Sequence, residues 1–167
     1  MEQFFAANLG TPAAGSGNIF LDWGRLVDAR AMKPEHAWSA PEAFLCVLLS
    51  AAVCDGEFSA NERDLVRVLA HRSRGLKELT LEQLDALERI VTDRLSAQPD
   101  LAIEAACAAL PEEIRLPAFA HALDITLADG ELSQSEANLL DALAQRLDLD
   151  AADVRRVAEV ILLKNQC

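Results

Sequence analysis

The sequence predicts an all-α fold, a helical bundle of about seven helices, from three observations. Apolar residues make up 51% of the 167 while aromatics reach only 5% and Tyr is absent. An interior built from Ala and Leu suits packed helix faces, because strands favour β-branched and aromatic side chains. Helix punctuation then recurs at short intervals from residue 40 onward. Finally, one helix–acidic turn–helix unit occurs twice. The length allows one domain with a substantial core. We divide it into an N-terminal extension, residues 1–37, and a helical domain, residues 38–167.

Within the extension, residues 6–18 are rich in Gly, Ala, Ser and Pro and read as a loose leader. Ile19, Phe20, Trp23, Leu26 and Val27 follow at helical spacing and predict an amphipathic helix that stops before Pro34. Its stripe fits packing on the domain, or docking to a partner or a membrane surface. Packing is the simpler reading.

The helical domain opens at Pro41, which suits a first turn, with a helix running to about Cys54. Ser59 with Glu62 predicts a capping box and a helix to about Ser73. Thr80 with Gln83 repeats the device for a helix ending before Pro99. Asp100 is expected to open a short helix ending before Pro111. The next runs to about Ala128, kinked or split at Pro117. Ser133 and Glu136 cap the sixth, and Asp150 begins the last, to about Leu163.

The repeat is compact. Residues 55–72 and 129–146 align at an offset of 74 with nine of eighteen positions identical. The matching positions include Asp55 and Asp129, Gly56 and Gly130, Glu57 and Glu131, Ser59 and Ser133, and Glu62 and Glu136. The repeat halves cover about residues 40–75 and 112–148. If they pack about an approximate two-fold axis, both acidic turns lie at one end of the bundle.

Much of this motif serves folding. Gly56 and Gly130 suit a left-handed helix end. The serines and Glu62 and Glu136 cap the next helix, and Phe58 and Leu132 resemble hydrophobic staples. Asp55 and Asp129 are different, because a carboxylate at a helix C-terminus meets the negative end of the dipole. Glu57 and Glu131 add more negative charge. An Asp-Gly turn has local hydrogen bonding of its own, yet an unfavourable acid repeated in both halves points to a cation or a basic partner. The second half is the more acidic, and Asp124 has Ser50 as its counterpart in the first. The turn matches the rear of a calcium EF-hand loop, but Ala51, Val53, Ile125 and Leu127 stand where its front needs acids. An EF-hand is excluded, and a calcium site must gather ligands from both halves. A solvated acidic face is the plainer alternative.

The formal net charge of −12 disfavours nucleic acid and suits cations or a basic protein. Cys46, Cys54, Cys107 and Cys167 have no C-x-x-C spacing, and buried thiols in a reducing cytosol explain them best. No apolar run is long enough for direct membrane insertion, and the Met-Glu-Gln start lacks a basic leader, so a cytoplasmic location is expected. His36, His71 and His121 form no H-x-x-x-H or E-x-x-H pattern. With no phosphate loop or nucleophile elbow either, an enzyme is not expected.

An apolar helix, then Ala128-Asp129-Gly130-Glu131-Leu132-Ser133, then Glu136 and Leu139-Leu140, resembles the signature of the tellurite-resistance TerB-like family. Residues 54–59 look like its first copy, with Cys54 in place of the usual small Ala, and residues 160–165 are similar to family C-termini. The resemblance spans roughly residues 38–165. It implies an internally duplicated all-helical domain, an acidic surface that binds metal, and work beside an integral membrane partner of the tellurite-resistance C type. Carried over to this chain, the acids are Asp55, Glu57, Glu62, Asp129, Glu131 and Glu136, to which the residues' own pattern adds Asp124. The expected ion is calcium, magnesium or manganese. Three functions follow in order: a cation-binding or acidic adaptor in tellurite or metal stress, associated with a membrane through its partner; a general interaction scaffold without metal; and a metal-dependent hydrolase. The oligomeric state is not legible.

Overall fold

The computed structural model describes residues 37–54, 66–70, 72–73, 76–128 and 132–165. The described residues are all-helical, with no strand among them. In chain order the helices are α1 (Ala40–Ala52), α2 (Leu81–Ala97), α3 (Pro99–Ala109), α4 (Glu112–Thr126), α5 (Gln134–Arg146) and α6 (Ala151–Lys164), and residues 66–70 are also helical. The expected N-terminal amphipathic helix, the Ser59–Glu62 cap and the glycine turns at Gly56 and Gly130 lie outside the described residues.

α1 is the axis of the bundle. Every residue in it except Glu42 is buried, as expected for a helix that is apolar all round. It packs on α2, α3, α4 and α5. Phe44 meets the ring of His121 on α4 edge to face, with centroids 5.6 Å apart. Phe44, Leu45, Val47, Leu48, Ile114, Phe119, Leu140, Leu143 and Leu147 are fully or almost fully enclosed in one continuous core.

Local chemistry explains the helix ends. Thr80 and Gln83 form the expected capping box, as do Ser133 and Glu136. Ser39 and Glu42 make a third box at the start of α1, beside Pro41. Asp150 caps α6 by accepting from the amide of Ala152 at 2.7 Å.

Two expectations need correction. α3 starts at Pro99, not Asp100, because the fixed φ of proline suits the first helical position. Asp100 falls in the first turn, where its carboxylate meets the positive end of the dipole and accepts from Arg146 at 3.3 Å. α4 runs through Pro117 without splitting. Pro117 is exposed, so the carbonyl that loses its intrahelical donor can turn to water.

α5 ends in a Schellman motif. The amide of Asp148 donates to the carbonyl of Gln145 at 3.0 Å, and that of Leu149 to Ala144 at 3.1 Å. Asp148 sits there at φ 53°, a left-handed conformation that glycine enters without a Cβ penalty. Asp148→Gly is expected to raise stability by up to about 1 kcal/mol, read from the urea midpoint. A loss of similar size would show that the Asp side chain stabilises the corner.

Candidate functional site

Two of the acids singled out from the sequence fall in described helices, Asp124 in the last turn of α4 and Glu136 in the first turn of α5. α1 closes at Val53, whose amide donates to the carbonyl of Leu49 at 3.0 Å. α4 closes at Leu127 in the same way, donating to Leu123 at 3.1 Å. Asp55, Glu57, Glu62, Asp129 and Glu131 lie outside the described residues. Asp124 and Glu136 are described.

A cavity of about 450 Å³ opens at the end of α1. Leu49, Ser50, Val53 and Cys54 line it from the end of α1, and Leu139 lines it from the first half of α5. Leu95 of α2 and Ile103 of α3 complete much of its apolar wall. The stretch just before the first acidic turn and the helix just after the second therefore border one space.

Glu136 has a structural task. The amide of Ser133 donates to its carboxylate at 2.7 Å, and its own amide donates to the Ser133 hydroxyl at 3.2 Å. Leu132, just before this cap, packs against the core.

Asp124 occupies the last turn of α4, where its charge opposes the dipole. The compensation comes from the far end of the chain. Lys164 donates to both of its carboxylate oxygens, at 2.6 and 2.5 Å. The side-chain amide of Asn165 donates to the same carboxylate and to the main-chain carbonyl of Leu127, each at 3.4 Å. The Asp124 side chain is only 15% exposed, against 56% for Lys164. Its counterpart Ser50 is buried and donates to Val47 at 2.8 Å, so the two halves differ at this position.

Sequence pattern missed the clasp, since Lys164 and Asn165 lie 40 and 41 residues from Asp124 and follow no local rule. A carboxylate at a helix C-terminus with no nearby base was the available signal.

Among the described residues, no three His, Cys, Asp or Glu side chains group closely enough to hold a metal ion. The described donors near the second turn are nonetheless hard oxygens, the Asp124 carboxylate and the Leu127 carbonyl, the type that calcium, magnesium and manganese prefer. Both Asp124 oxygens are already bonded to Lys164, so the described residues offer no open set of donors for such an ion.

Among the described residues Cys46 and Cys107 are buried as expected, whereas Cys54, also expected to be buried, and His121 are half-buried. Burial pushes the Cys46 thiol up to about 12, with the nearby Cys107 adding and Arg94 opposing. Burial likewise lifts Cys107 to about 11, opposed by Arg146 and Arg115. Both are free thiols that stay protonated at neutral pH. Burial also holds His121 below the ordinary imidazole range; Asp124 opposes this and Lys164 reinforces it. Its full stability contribution is thus present above the unfolded-state pKa and is lost as pH falls toward the lower folded value. His121→Gln is expected to lose less stability than wild type between pH 7.5 and pH 5, measured by urea unfolding. Equal losses would contradict the assignment.

The fold and site define a class: an all-helical domain built on a buried central helix, with an acidic helix end held by a C-terminal clasp. The family model described as tellurite resistance protein TerB matches residues 41–159, and the chain belongs to that family. No curated protein and no solved structure matches it. No described helix is long and apolar enough to cross a membrane.

Proposed function

We propose that this TerB-family chain is a non-enzymatic acidic adaptor that binds a divalent cation, serving tellurite or metal stress beside a membrane-bound partner of the tellurite-resistance C type. The observation that carries the reading is the single cavity bordered by the end of α1 and the first half of α5. It favours a common rim for the two acidic turns. Asp55, Glu57, Asp129 and Glu131 would then supply carboxylates from both halves, with Asp124 beside the second turn. Glu62 and Glu136 complete the set of acids, with Glu136 tied to its cap.

The chemistry expected of such a site is capture. Hard oxygens and a net charge of −12 attract a divalent ion and repel nucleic acid. A non-enzymatic role accords with the protonated core thiols Cys46 and Cys107 and with His121 packed against Phe44.

The second reading is a scaffold whose acids only cap helices, favoured by the reciprocal Ser133–Glu136 hydrogen bonds. Thermal melting with calcium, magnesium, manganese or zinc separates the two. A stabilising shift in wild type that disappears in Asp55→Asn/Asp129→Asn supports the cation role. No shift with any of the four ions overturns it in favour of the scaffold.

A further inference from the structure

Where α2 turns into α3, an open groove of about 400 Å³ faces solvent. Trp38, the residue before the Ser39 cap of α1, forms one wall, and Arg94, Ala97, Gln98, Leu101 and Ala102 form the rest. The Arg94 guanidinium lies over the Trp38 ring, 4.5 Å from its centroid. Leu101 is 60% exposed, an apolar side chain left on the rim. Arg94 enters none of the ion pairs among the described residues. Its Nη1 is buried with no hydrogen-bond partner. The groove thus combines an aromatic wall, an aliphatic rim and a cation that has no carboxylate.

We propose that residues 19–27 of this chain dock in the groove at the α2–α3 corner, laying their apolar stripe on Leu101 and Ala97 and setting the Asp22 carboxylate beside Arg94. The proposal is independent of the cation-binding reading.

The first argument is where the chain enters. The described residues begin at 37, next to Trp38, so residues 1–36 lead directly into the wall of this groove. Val27 precedes residue 37 by ten residues (37 − 27), and an extended stretch of that length reaches at most about 35 Å. The stripe can therefore fold back onto the corner. A tether this short holds it there at an effective concentration on the order of millimolar, so a modest contact area suffices.

The second argument is chemical match. Ile19, Phe20, Trp23, Leu26 and Val27 supply apolar and aromatic surface for the Leu101 rim. Asp22 stands three residues after Ile19 and four before Leu26, spacings that place it at the border of the stripe on a helix. A carboxylate there gives the guanidinium a charge-assisted acceptor. Docking covers the exposed leucine and pairs the cation in one step.

The test is amide hydrogen exchange on the full chain. Residues 19–27 of wild type are expected to exchange about threefold more slowly than an unstructured segment of the same sequence, the scale of a weakly docked element. Leu101→Asp, which puts a charge on the rim, should remove the protection. Asp22→Arg, which sets two cations face to face, should remove it too and leaves the helical domain itself unaltered. Wild-type protection lost in both variants supports the proposal. Absence of protection in wild type, or its survival in either variant, overturns it. Protection that rises with protein concentration also overturns it, since the groove would then hold the segment of a second copy.

Discussion

Phe119→Ala is expected to destabilise the protein by about 3–5 kcal/mol, the range for truncating an enclosed aromatic side chain. Phe119 is completely buried on α4 and belongs to the continuous core around α1. The loss combines the transfer free energy of the ring with a cavity that rigid neighbours cannot close. Domains are commonly stable by only about 5–15 kcal/mol, so the variant forfeits a large share of the total. Leu101→Ala is the control. Leu101 is 60% exposed, and its removal should change stability by no more than about 0.5 kcal/mol. Urea unfolding measures both. A Phe119→Ala loss below about 1 kcal/mol would mean that the packing around α1 is looser than described.

What the sequence made legible depends on range. The Thr80–Gln83 and Ser133–Glu136 boxes were readable because their donors and acceptors lie three residues apart. The burial of α1 was foreshadowed by its unbroken apolar run. Ser39–Glu42 obeys the same rule, and this reciprocal pair flanks Pro41 at the start of α1. The start of α3 was misplaced because Asp100 suits both a cap and a first turn, and Pro99 decides between them. At Pro117, the sequence records a missing donor but not whether the freed carbonyl reaches water.

The candidate site was legible only as chemistry. The repeated Asp-Gly-Glu bends marked two places where negative charge opposes a helix dipole. Pattern could not reveal that Lys164 and Asn165 would return to Asp124, because the pairing depends on how α6 lies along α4. Nor could it show that Leu139 and the end of α1 share a cavity wall. Such contacts are set by tertiary packing, which a period of 3.6 residues does not encode.

The second large effect is a change in melting with bound ion. A ligand that binds only the native state stabilises it by about 2.7 kcal/mol when present at 100 times its dissociation constant. For a domain of this size, that corresponds to a rise of roughly 5–10 °C. Asp55→Asn/Asp129→Asn preserves side-chain shape while removing one carboxylate charge from each bend. It should erase the rise without greatly lowering the ion-free melting temperature.

Each single variant is the sharper probe, since a shared site needs both bends whereas independent sites do not. Calcium or manganese melting of Asp55→Asn and Asp129→Asn separately is therefore the decisive measurement. The cation account predicts that either substitution alone removes most of the wild-type shift. An undiminished shift in both single variants would contradict it.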